Sequence, residues 1–314
     1  LLDLHPFRQR TFKQRATLEG VGLHSGALVT VTLCPAPADH GIVFERTDVT
    51  PRVEIPALAA YVVDTTLNTS LGKNGIRVGT VEHLMAALAG CGIDNARIEV
   101  EGAELPILDG SAAPFVALIG EAGIKEQREA RQYLLVRRAV QVHDPKDATK
   151  SARLSPAERF TIDYTIDFKH PLISDQRHRV QLSEKAFHRE IARARTFGFK
   201  RDVERLHAAG LGRGGSLANA VVLDDFNILN PEGLRFPDEF VRHKILDAVG
   251  DLALAGMPII GHLEAVKSGH ALNHALVKKA LHEPGACVVV RPKAERELSE
   301  LQEIAPSFAG LEVA

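Results

Sequence analysis

His243, Asp247 and Asp251 recur every four residues within DEFVRHKILDAVGDLALA, residues 238–255. On a helix, side chains four apart stack on one face, so these three would form one polar stripe. Residues such as Phe240, Ile245, Leu246 and Leu252 make the remaining surface apolar on most sides, the pattern of a buried helix. A buried imidazole or carboxylate needs a partner, and a divalent metal ion satisfies both. A bare His-x-x-x-Asp pair is nonetheless more often a solvated face. Two ligands are also one short of the three that a catalytic zinc takes from protein while leaving its fourth position to water.

The pair Glu82-His83 supplies the missing parts. His83 completes a His-His-Asp ligand set with His243 and Asp247, and Glu82 beside it can accept a proton from the attacking water. By itself a Glu-His pair is ordinary surface; its weight comes from its place near the start of a helix in the other half of the chain. His270, in Lys267-Ser268-Gly269-His270-Ala271, would protonate a leaving amine as an imidazolium, held by Asp251 on the polar stripe. Thr196 could aim its hydroxyl at a developing oxyanion.

The elements that must carry these groups are legible as patterns. Alternating β-branched residues at 28–33 and short apolar runs at 42–44 and 95–100 predict strands. Thr80 is the expected N-cap of a helix over Val81–Ala89, closed by Gly90 and Gly92, and a second helix is expected over Ser111–Leu118. Periodicity fails over Gln127–Gln132, the expected linker, and resumes at Tyr133. Strands at 133–142 and 160–168, a helix at 238–255, a strand at 258–266 and a helix at 271–281 repeat the rhythm of the first half. Internal duplication and coincidence between two α+β units both fit that rhythm. The segment 194–220 is basic and glycine-rich, suited either to a surface loop with a short helix or to close approach of an anionic ligand.

Composition excludes several classes. The 314 residues carry a formal charge of −2 and 45% hydrophobic content, so no global field holds nucleic acid or an anionic membrane. Cys34, Cys91 and Cys287 are odd in number and far apart, as expected of reduced cytosolic thiols rather than a disulfide framework. No apolar run reaches the ~20 residues of a membrane helix, and residues 1–8 lack the pattern of a signal peptide. There is no His-Glu-x-x-His, no phosphate-binding Gly-x-x-x-x-Gly-Lys-Ser/Thr and no Gly-x-Ser-x-Gly. These absences argue against common zinc peptidases, P-loop NTPases and serine hydrolases.

From about Arg10 to His282 the chain resembles the zinc-dependent UDP-3-O-acyl-N-acetylglucosamine deacetylases of lipid A synthesis in Gram-negative bacteria. The blocks that carry the resemblance are GVGLHSG (20–26), TVEHL (80–84), DGSA (109–112), RARTFGF (193–199), FVRHKILD (240–247) and KSGHALN (267–273). It implies zinc, or ferrous iron on the same donors, held by His83, His243 and Asp247. It further implies Glu82 as general base, His270 as general acid supported by Asp251, and Thr196 at the polarised carbonyl. Lys244 and His24 match positions near the substrate diphosphate, Phe168 matches the aromatic at the uridine end, and Phe197 is expected at the substrate. The implied fold is α+β: two similar domains, each a β-sheet layered with α-helices, the helices sandwiched between the two sheets, with an insert in each. The repeats are expected at 7–130 and 133–290, the second insert at about 196–220, and a C-terminal tail at 291–314. A cytoplasmic monomer acting on the UDP-linked acylated sugar, without nucleic acid or stable membrane insertion, is the corresponding expectation. Another zinc amidohydrolase, or a non-catalytic sugar-nucleotide-binding protein with a structural zinc, remain the competing readings.

Overall fold

Residues 28–33 fall within strand Leu28–Pro35, the second of a five-stranded sheet ordered Ala16–Val21, Leu28–Pro35, Ala96–Glu101, Ile42–Arg46, Val53–Pro56. This sheet and the rest of the fold are seen in a computed structural model that describes residues 7–304. Residues 1–6 and 305–314, parts of the segments expected to carry no secretion signal and no functional motif, lie outside the described residues.

A second five-stranded sheet runs Val140–His143, Ser151–Ser155, His262–Val266, Thr161–Ile166, Gln176–Gln181. Its strand order is that of the first. In each sheet the central strand pairs antiparallel to one neighbour and parallel to the other, and it is the last of the five in the chain. A parallel pairing requires a long crossover. The helices Glu82–Gly90 and Glu239–Ala253 lie in the equivalent crossovers of the two halves, the first directly before its central strand and the second separated from its own by the short strand Ile259–Ile260. The architecture is mixed α+β, with several smaller sheets and seven α-helices among the described residues.

The two crossover helices pack directly on each other. Helix Glu82–Gly90 is buried on almost every side, and Ala86 and Ala87 keep its surface shallow. Gly250 makes the approach possible: a Cβ there would sit 2.0 Å from the carbonyl oxygen of Glu82. A single apolar core containing Leu84, Phe240, Leu246, Val31, Ile98 and Leu263 runs through both helices and both large sheets.

Several local expectations are corrected. Thr80 does not cap its helix; the N-cap is Val81, without a side-chain cap bond. The Thr80 hydroxyl instead donates to Glu104 Oε1 at 3.1 Å and accepts from Asn68 Nδ2 at 3.0 Å. The expected linker is largely strand: Ile124–Ala130 pairs antiparallel with Arg8–Phe12, and that distant partner supplies the order which local periodicity lacked. The strands expected over 133–142 and 258–266 each divide in two, the second at Gly261, where a Cβ would lie 2.6 Å from the Val136 side chain.

Substituting Gly250→Ala must push the two central helices apart. Overpacking of a tight core costs typically about 1–3 kcal/mol, so we expect a lower urea midpoint at an unchanged slope. A midpoint equal to the unsubstituted protein's would show that the crossing has slack.

Candidate metal and proton-transfer centre

The helix Glu82–Gly90 begins with the two residues singled out by sequence, and helix Glu239–Ala253 carries His243 in its second turn. Their packing brings His83 and His243 together, ring centroids 5.1 Å apart and nearly perpendicular. Nε2 of His243 lies 3.3 Å and Nε2 of His83 3.7 Å from Asp247 Oδ1. Four-coordinate zinc with ligands at about 2.0–2.1 Å spaces its donor atoms roughly 3.3 Å apart. The three residues therefore fit a single divalent ion. They are the one such group of three His, Cys, Asp or Glu donors among the described residues, and all three are buried. Among the described residues no fourth His, Cys, Asp or Glu donor joins the group.

Surrounding groups orient each donor. His243 Nδ1 donates to the Ala194 carbonyl at 3.0 Å, which places its proton there and turns the Nε2 lone pair toward Asp247. Burial, ahead of the opposing pull of Asp247, lowers the His243 pKa to about 4, so the ring is neutral as a metal donor must be. Asp247 Oδ2 is taken by the Lys244 ammonium at 2.6 Å. Burial works against the Asp247 carboxylate, but His243 and Lys244 outweigh it and hold the carboxyl well below its usual range. Burial likewise works against the Lys244 charge, and Asp247 reverses that effect, raising its pKa. Nδ1 of His83 finds no hydrogen-bond partner among the described residues.

Beside the donor set, Glu82 is 3% exposed and its Oε2 accepts the Thr69 N–H at 3.0 Å. Burial raises its pKa against the opposing charge of His270. His270 opens helix His270–His282, and its Nε2 stands 4.0 Å from Glu82 Oε1. Its Nδ1 donates to Asp251 Oδ2 at 2.9 Å. Burial alone would lower the His270 pKa; the Asp251 carboxylate overrides it, with Glu82 adding, and lifts it to about 9. The neutral His243 ring and the Asp247 carboxylate thus sit beside the buried Glu82 carboxyl and a charged imidazolium.

Thr196 lies two residues beyond the carbonyl that holds His243, with its own N–H on the Gly110 carbonyl at 2.8 Å. Phe197 places its ring 6.4 Å from His243, and Phe168 stacks edge-on to Phe197 at 5.5 Å. His24 sits in the glycine-rich turn 20–26, where Glu104 accepts the N–H groups of His24 and Ser25. Neither His24 ring nitrogen has a hydrogen-bond partner among the described residues. The glycine-rich stretch after helix Lys200–Ala208 packs on this same turn: Gly214 N–H donates to the Leu23 carbonyl at 3.0 Å, and a Cβ on Gly214 would lie 2.2 Å from the Gly22 oxygen. Gly214 serves this loop-on-loop contact.

Sequence reasoning missed four supports: Thr69, Asn273, the Ala194 carbonyl, and the buried pair Arg195–Glu239. Asn273 donates to Asp251 Oδ2 at 2.8 Å. Arg195, 2% exposed, gives both its Nε and its backbone N–H to Glu239 Oε1 at 2.9 Å, fixing the segment that carries Ala194 and Thr196. The only advance signal was that Arg195 and Asn273 fall inside the blocks RARTFGF and KSGHALN.

A buried set of two imidazoles and one carboxylate, flanked by a carboxylate and an imidazolium, defines a hydrolase centre able to use a divalent ion. Residues 9–282 match the family described as LpxC: UDP-3-O-acyl N-acetylglycosamine deacetylase, and the chain belongs to that family. It is 58% identical over 305 residues to the UDP-3-O-acyl-N-acetylglucosamine deacetylase of Myxococcus xanthus (strain DK1622), covering 97% of this chain and 95% of the relative. Similarity to the enzyme of the same name from Anaeromyxobacter sp. (strain Fw109-5) is 58% over 299 residues, 95% and 97% of the two chains. For Xanthomonas campestris pv. campestris (strain B100) it is 49% over 304 residues, 96% and 99%.

If the three donors hold one ion, His243→Ala should reduce bound metal well below one equivalent by elemental analysis. A full equivalent held as tightly as before would remove His243 from the set.

Proposed function

We propose that this chain hydrolyses the acetamide of UDP-3-O-acyl-N-acetylglucosamine, releasing acetate and a free amine, in lipid A biosynthesis. The observation that carries this reading is the convergence of His83 with His243 and Asp247 beside Glu82 and His270, in a chain belonging to the deacetylase family. Zinc on His83, His243 and Asp247, or ferrous iron on the same donors, supplies Lewis-acid polarisation and lowers the pKa of a water from 15.7 to about 7.

The chain's own residues do the rest. Glu82 takes the proton of the attacking water at its carboxylate. The Thr196 hydroxyl donates toward the developing oxyanion. His270 gives a proton to the departing nitrogen, because an amine anion is too poor a leaving group, and Asp251 keeps the ring charged until then. Lys244 and His24 serve the diphosphate, and the free ring nitrogens of His24 support that role. Phe168 and Phe197 flank the substrate at the edge of the centre. The insert at about 196–220 forms the passage for the acyl chain. Repeats at 7–130 and 133–290 are read as two domains whose sheets sandwich the central helices, a reading supported by their shared strand order. The protein is proposed to work as a cytoplasmic monomer; no described helix is long and apolar enough to cross a membrane.

Acetate release from the acylated UDP-sugar, compared with the unacylated one, tests the assignment. Turnover of neither at full metal occupancy would overturn it. Glu82→Gln should keep the metal and lose on the order of 10²–10⁴-fold in kcat; near-normal turnover would remove Glu82 from the base role.

The pH profile should be a bell. Glu82 acts ionised, so activity rises with pH through its raised pKa. His270 acts protonated, so kcat/KM falls as pH climbs through a value near 9. His270→Ala should abolish the alkaline limb. A limb that persists there belongs to another group.

A further inference from the structure

We infer that Thr69 is a positioning residue that ties the proton-accepting and proton-donating groups of the centre into one unit. This rests on the function proposed above. Thr69 is 1% exposed and directly precedes strand Ser70–Lys73 of a small three-stranded sheet. All three of its polar groups are committed. Its N–H donates to Glu82 Oε2 at 3.0 Å, and its hydroxyl donates to Asp251 Oδ1 at 2.6 Å. Its carbonyl accepts the Val81 N–H at 3.2 Å, at the start of the helix that carries Glu82 and His83.

These bonds reach both halves of the molecule. Glu82 stands on the first central helix; Asp251 stands on the second and passes the constraint to His270 through its other oxygen. Asp251 Oδ1 has no other hydrogen-bond donor among the described side chains, since His270 and Asn273 both take Oδ2. Without the Thr69 hydroxyl that oxygen is left buried and unpaired, free to turn and to draw His270 away from Glu82. The turn itself is held firmly. Asn68 bridges Thr80 and Ser70, and Leu67 adopts φ +66, a left-handed conformation rare for leucine. The local backbone therefore aims Thr69 before any substrate binds.

The experiment uses the full chain with its metal, after wild-type turnover of the acylated UDP-sugar is established. A wild type without turnover refutes the proposed function and with it this dependence; the statements below apply to an active wild type. Thr69→Val and Thr69→Ala both remove the hydroxyl and should lower kcat by about 10–100-fold, the usual loss for an outer-shell partner. KM and metal content should stay near wild type, and Thr69→Ser should restore most of the rate. In an Asp251→Asn background Thr69→Val should cost little more, because the two act along one path. Unchanged kcat, additive losses in the double variant, or no rescue by serine would overturn the inference. So would failure of both Val and Ala variants to fold by circular dichroism, which would make Thr69 a structural residue.

Discussion

Everything in this molecule turns on placing carboxyl groups where two buried helices cross. Glu82, Asp247 and Asp251 are all buried at the contact between helices Glu82–Gly90 and Glu239–Ala253. An ion withdrawn from water costs several kcal/mol even after relaxation, unless donors replace its hydration. Here they do. Asp251 receives His270, Asn273 and Thr69; Asp247 receives Lys244 on one oxygen and faces the two metal-donor imidazoles with the other. That density of partners requires backbones in near contact, and Gly250 against the Glu82 carbonyl is where the contact is made. The residue that admits the second helix touches the residue proposed as base, so packing and chemistry share one constraint.

The duplicated strand order explains how a chain comes to have such a crossing. Each half contributes one helix from the crossover that leads to its central strand, and these two helices pack on each other. That packing brings their buried polar residues together. The donor set is accordingly split, His83 from one half and His243 with Asp247 from the other.

What sequence made legible follows the same division. The stripe His243, Asp247, Asp251 was readable because helical period converts spacing into direction, and apolar neighbours announced burial. His83 and Glu82 were readable through their place in the other half and through the family blocks. Thr69 was not, because its partners stand 13 and 182 residues away and a threonine before a strand carries no signal of its own. Within the expected linker 127–132, residues 127–130 belong to strand Ile124–Ala130 for a related reason: its order comes from Arg8–Phe12, more than a hundred residues earlier. Thr80 had the residue type of a cap, yet its hydroxyl goes to the Glu104 that braces the glycine-rich turn. Local propensity loses wherever a tertiary hydrogen bond offers the same group a buried partner.

The charges show why the centre is poised for hydrolysis rather than merely stable. Charge at the centre is divided: the cations Lys244 and His270 stand against the carboxyl groups of Asp247, Asp251 and Glu82, and the His243 ring is neutral. Lys244 sharpens this division by occupying Asp247 Oδ2, so that Oδ1 alone faces the imidazoles. The salt bridge that helps hold Asp247 ionised therefore also leaves Oδ1 as the oxygen facing both imidazoles, and a substitution at Lys244 would disturb that geometry.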